Sequence, residues 1–188
     1  MVTQSASLLC HPTTPCDVVR AIAVSASRAT DGTLRLAFRA DGDLARIRVP
    51  PPQPPRVVHQ LWEHTCFEAF VTIDAATAYH ELNFSPSSEW AGYRFRSYRE
   101  IEGLVEEDAA PRIAARCDPN QLEVVAALPL ARLTPAYLHA PLRLGLSAVI
   151  ESSDGARSYW ALRHPTGRPD FHDALAFTLR LEPPRGEW

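Results

Sequence analysis

The sequence has little of the signals that most directly announce a function. Its four cysteines, Cys10, Cys16, Cys66 and Cys117, form no C-x-x-C pair and share no repeated spacing, so neither a zinc ribbon nor a disulfide framework is expected. Cys10, His11 and Cys16 lie close together in a proline-containing segment, yet their spacing matches no closed tetrahedral metal pattern. Arginines are scattered and the net charge is −3, which removes the basic footprint that a phosphate backbone needs; nucleic acid is not an expected partner. No stretch approaches the ~20 apolar residues of a membrane span, and Met1 to Cys10 lacks a charged start, a long apolar run and a cleavage site. The expectation is a cytoplasmic protein without membrane contact. There is no G-x-S-x-G elbow, H-E-x-x-H motif, glycine-rich phosphate loop or dinucleotide fingerprint.

What remains is ordinary globular material. With 188 residues, 46% of them hydrophobic and 22% charged, the chain suffices for one domain over 1–188, with 1–19 as an N-terminal tail packing on it. Proline and glycine punctuate it at short intervals, and the runs between them alternate with period two, which is the rhythm of strands. Strands are expected over 20–28, 33–40, 44–49, 61–73, 79–84, 90–98, 112–117, 121–128, 142–151, 157–162 and 174–181. Pro50 to Pro55 forms a stiff connection, and one short helix over 130–138 is broken by Pro135. About ten strands with almost no helix predict an all-β fold, a two-sheet antiparallel sandwich.

Three central strands carry the candidate site. In 61–73, Phe67, Ala69, Val71 and Ile73 fall on a core face, leaving Glu68 on the other; 79–84 presents Glu81 and Asn83, and 90–98 presents Arg94 and Arg96. Placed side by side, carboxylates, amide and guanidiniums make one polar face, with the arginines holding both carboxylates ionised. Trp62, Trp90 and Tyr159 lie on or beside these strands as stacking platforms. Flat rings with Asn, Glu and Arg groups suit a sugar, which offers an apolar C–H face and a rim of hydroxyls. A solvated ion-pair surface fits the same pattern.

The runs Leu61 to Phe70, Tyr79 to Ser87, Trp90 to Tyr93, Ser158 to Leu162, His164-Pro165 and Pro169 to His172 resemble the DOMON-like proteins of bacteria, relatives of the family-nine-like carbohydrate-binding modules. The resemblance covers most of the chain and implies a β-sandwich that binds a sugar or a haem. Haem-binding relatives use Met and His as axial ligands, whereas the one methionine here is Met1; a bis-His site drawn from His59, His64, His80, His164 and His172 is the form left open. The leading expectation is a non-catalytic domain for a carbohydrate or similar polyhydroxylated ligand, needing no cofactor and using Trp62, Glu68, Glu81, Asn83, Trp90, Arg94, Arg96 and Tyr159. Alternatives are a metal-dependent enzyme or metalloprotein centred on His164, Asp170 and His172, whose loop gathers imidazoles and carboxylates, a haem-binding domain, and a partner-binding domain using an edge strand or the proline loop.

Overall fold

The computed structural model describes residues 3–184. It is all-β, with strands β1 (Thr3–Cys10), β2 (Val19–Arg28), β3 (Thr33–Gly42), β4 (Cys66–Ile73), β5 (Tyr79–Phe84), β6 (Trp90–Ser97), β7 (Glu100–Leu104), β8 (Arg112–Asp118), β9 (Gln121–Pro129), β10 (Leu142–Glu151), β11 (Arg157–Ala161) and β12 (Leu179–Leu181), and one short helix, α1 (Leu130–Leu133). All strand pairs are antiparallel, in the order β7-β6-β5-β4-β10-β11-β1-β2-β3-β9-β8, with β12 continuing the β10 edge that β11 leaves uncovered. Among the described residues, no helix is long and apolar enough to cross a membrane.

Hydrogen bonding does not divide this ladder into two separate sheets. β1 pairs with β2 through Thr3 to Leu8 and then passes to β11 through Leu9 and Cys10. The ladder folds over on itself instead. β3 and β4 are five steps apart along the order, a flat distance of roughly 24 Å at ~4.8 Å per strand, yet the rings of Phe38 and Phe67 lie 5.2 Å apart. Between the two halves lies a core that includes Ile22, Leu36, Phe38, Phe67, Leu82, Val124 and Leu146. Each side chain buried this completely contributes about 1.5–3 kcal/mol relative to exposure.

The expected tail 1–19 is therefore a strand over Thr3–Cys10, seated between two others; its first two residues lie outside the described residues. Local chemistry accounts for other departures. Asp43 caps a 3-10 turn at Leu44–Arg46 by accepting from the Ala45 N–H, replacing a strand over 44–49. Leu61–Glu63 is likewise a 3-10 turn, so β4 starts at Cys66. Asp173 caps another turn at Ala174–Ala176, which leaves Leu175 exposed and sends Phe177 into a second apolar cluster. That cluster, with Phe70, Tyr79, Tyr93 and Phe95, lies on the outer face of β4–β6. The outer face is thus roofed by the segment following β11, and β4 is buried on both sides.

Candidate functional site

Directly opposed residues in antiparallel strands share a face, so register decides what meets what. Glu68 of β4 stands between Asn83 of β5 and Ser147 of β10. Phe70 stands beside Glu81, Glu81 beside Tyr93, and Tyr79 beside Phe95. Under the roof these positions line a cavity of about 350 Å³, floored by Glu68, Phe70 and Glu81 and walled by Trp62, Tyr93, Phe95, Val149 and Tyr159. Arg99, Ile101, Pro169, Phe171 and His172 complete the lining.

The two carboxyls are nearly inaccessible, at 2% exposure for Glu68 and 6% for Glu81. Ser147 Oγ donates to Glu68 Oε2 at 3.0 Å, and Asn83 Nδ2 donates to Glu81 Oε1 at 2.8 Å. His172 Nε2 lies 3.5 Å from Glu81 Oε2. Burial pushes the Glu68 carboxyl up to about 8, aided by the neighbouring Glu81 charge, and burial also raises Glu81. The floor consequently retains a proton at neutral pH. Burial, with the charge of Arg99, lowers His172 to about 4, so this imidazole is neutral and its contact with Glu81 is no ion pair at pH 7. Arg99 N–H donates to the Tyr79 hydroxyl at 3.1 Å, and that oxygen is 2.8 Å from His172 Nδ1. A neutral ring accepting there from Tyr79 carries its own proton on Nε2, toward Glu81.

The roof is tied down by the turn between β6 and β7. Asp170 accepts from the Tyr98 hydroxyl at 2.5 Å and from Arg99 Nη2 at 2.9 Å, and the N–H of His172 closes back on Asp170 at 3.1 Å. Arg99 adopts φ 55°, a left-handed conformation unusual for a side-chain-bearing residue. Its bonds to Tyr79 and Asp170 hold it there. Gly145 of β10 lies opposite Phe70, and a Cβ at Gly145 would come 2.5 Å from Phe177 Cδ1. Only glycine lets the Phe177 ring settle over Phe70, with centroids 5.6 Å apart.

Of the expected site residues, Trp62, Glu68, Glu81 and Tyr159 line the cavity and Asn83 supports its floor from a fully buried position. Arg94 and Arg96 do not join them. Tyr93 and Phe95 occupy the cavity side of β6, so both arginines project from the other face and pair with Glu102 and Glu100 of β7. The expected ionisation of both carboxylates by these arginines fails for the same reason. Trp90, opposite Phe84, is buried on the reverse face and does not line the cavity.

His164, Asp170 and His172 are engaged separately. His164 Nε2 donates to the Leu9 carbonyl at 2.7 Å, Asp170 holds Tyr98 and Arg99, and His172 meets Tyr79. Among the described residues no three His, Cys, Asp or Glu side chains are grouped as a metal site. Cys10 and Cys16 bond locally to Thr14 and Val19, and the other imidazoles of the bis-His set reach different partners: His59 to Tyr93, His64 to Glu151 and His80 to Tyr137. Sequence reasoning missed Phe70, Tyr93, Phe95, Arg99 and Phe171 as lining residues. Phe70 carried a usable signal, because a large ring alternating with Glu68 on a supposedly wet face marks a strand covered on both sides.

No protein-family model matches the chain, and no curated protein sequence does. Its fold is similar to that of a "putative carbohydrate-binding protein" from Bacteroides uniformis ATCC 8492, with a TM-score of 0.69 and 11% identity over 94% of this chain and 84% of that one. It is also similar to a family 9 carbohydrate-binding module from Caldicellulosiruptor kristjanssonii in complex with cellotriose, with a TM-score of 0.52 and 11% identity over 93% of this chain and 85% of that one. At this identity the likeness concerns the fold alone.

Proposed function

We propose that this chain is a non-catalytic binding domain whose cavity takes a carbohydrate or similar polyhydroxylated small molecule. The observation that carries the reading is the cavity's composition: two hydrogen-bonding carboxyls and an imidazole converge on its floor, while Trp62, Tyr93, Tyr159 and Phe171 supply apolar faces around them. Such a site grips hydroxyls at one end and stacks C–H surface at the other. The DOMON-like motifs support it, since Leu61 to Phe70 and Tyr79 to Ser87 supply Trp62 and the floor residues. The two structural neighbours, one named for carbohydrate binding and one solved with cellotriose, support it as well.

A raised carboxyl such as Glu68 also meets the protonation requirement of a general acid. Its placement argues for binding instead. Glycoside cleavage brings both carboxyls against the scissile bond, whereas Glu68 and Glu81 are almost wholly buried and Ser147 and Asn83 each occupy one of their oxygens. Calorimetry with common mono- and disaccharides tests the reading. Trp62, 38% exposed at the cavity mouth, can be truncated with little cost to folding, and Trp62→Ala is expected to weaken binding about tenfold, or ~1.4 kcal/mol. Absence of any sugar binding, or sustained cleavage of aryl glycosides, would overturn it.

A further inference from the structure

We propose that the preferred occupant of this cavity carries a protonated amine: a polyhydroxylated small molecule of the amino-sugar class, with its ammonium on the Glu68–Glu81 floor. This inference rests on the carbohydrate reading and narrows it. No cationic side chain hydrogen-bonds to either of the two carboxyls of the floor. Every donor reaching them is neutral: Ser147 Oγ on Glu68, Asn83 Nδ2 on Glu81, and the His172 ring beside Glu81. Glu68 Oε1 has no hydrogen-bond partner among the described residues, although the side chain is almost wholly buried and lines the cavity.

Arg99 lines the cavity and its charge lowers Glu81 against the larger effect of burial, but its hydrogen bonds, and the other arginines, are committed elsewhere. Arg99, on the turn after β6, is bonded to Asp170 of the roof and to the Tyr98 hydroxyl. Arg94 and Arg96 occupy the opposite face. The sequence contains no lysine, so no ammonium from the chain itself can enter. From β4, Cys66 adds only a neutral thiol, raised by burial; from β5 and β6, Tyr79 and Tyr93 add phenols raised in the same way. A proton therefore neutralises part of the floor in the free protein, as the raised carboxyls show.

A bound ammonium would do this better than a proton, because it neutralises the pair from a distance that lets both carboxyls accept hydrogen bonds. The walls favour the same ligand. Trp62, Tyr93, Tyr159 and Phe171 set aromatic rings around the floor, and the negative quadrupole of a ring face attracts a cation and rejects an anion. A neutral sugar would share the aromatic contacts without answering the charge. The exchange balances simply: the ammonium enters, the carboxyl pair releases one proton to the buffer, and no covalent bond to carbon changes.

The experiment is isothermal titration of the full chain with glucosamine, galactosamine and mannosamine, each beside its neutral parent sugar and its N-acetyl derivative. Titrations are run at pH 6.5 in two buffers of different ionisation enthalpy. At least one amine is expected to bind at least tenfold more tightly than both neutral counterparts, and the buffer dependence should report release of up to one proton. Glu68→Gln should shrink the amine preference to less than threefold and abolish the proton release. Neutral sugars binding as well as their amines would overturn the inference and leave the carbohydrate reading intact. If no sugar of either kind binds, both fall. Because the amine-to-neutral ratio is read on the unaltered protein, the test does not depend on the variant's folding.

Discussion

Glu68 has one buried oxygen held by Ser147 and the other facing the cavity, and its proton links the site to stability. Its folded-state value near 8 lies above the ordinary 4.5. Between those values the folded protein keeps a proton that the unfolded chain releases, so the group's contribution worsens as pH rises through that window and levels off above it. Glu68→Gln, which is neutral at every pH, is expected to be more stable than the parent by about 1–3 kcal/mol at pH 8, with the advantage vanishing toward pH 4.5. Denaturant unfolding at a series of pH values reads this directly; a constant difference across the series would contradict it. Glu68 and Glu81 were legible in the sequence because alternation within each strand separates them from core-facing neighbours. The guanidiniums were not, for alternation sorts a strand's residues into two sets without saying which set faces the neighbouring strand's acids. In β6 the aromatic set won that position, since Tyr93 and Phe95 complete an apolar cluster with Phe70 and Phe177.

Among the elements, β10 shows how closely pattern and structure agree where packing is strong. Its bounds Leu142–Glu151 coincide with the expected strand, and all but one of its residues are buried because β4, β11, β12 and both faces enclose it. β1 and β7 lacked such a signal. Thr3–Cys10 is mostly small and polar with Leu8 its one fully buried side chain, and Glu100–Leu104 is an exposed edge, so neither displays apolar alternation. Missing β7 also hid the turn that places Arg99 at the cavity. Gly145 offers a test of β10 as the seat of the roof. Gly145→Ala forces its Cβ against the Phe177 ring, and is expected to cost about 1–3 kcal/mol by overpacking. Sugar affinity should fall with it, as Phe177 shifts from Phe70. A melting curve together with a binding isotherm would separate that coupled loss from simple destabilisation.

For the molecule as a whole, stability should pass through a maximum between about pH 5 and 7. His80 and His172 are each held near 4 by burial, against an ordinary 6.5, so both remain neutral in the folded state while the unfolded chain charges. Stability is present above 6.5 and is lost as pH falls toward 4. His80 is fixed in this state by the Tyr137 hydroxyl, which donates to the Val71 carbonyl and accepts from the ring. On the alkaline side Glu68 acts in the opposite direction, with each proton difference changing stability by about 1.4 kcal/mol per pH unit. Thermal melts from pH 4 to 9 would show the dome, and a monotonic rise would contradict the assignment.

β1 adds a constraint of timing. Its Leu9 pairs with Ala161, at the far end of the sequence, so during translation the seam cannot close until most of the nascent chain has left the ribosome. Until then β1, β2 and β3 must wait as a three-stranded meander with the β1 edge open, a slow and aggregation-exposed stage typical of long-range strand pairing.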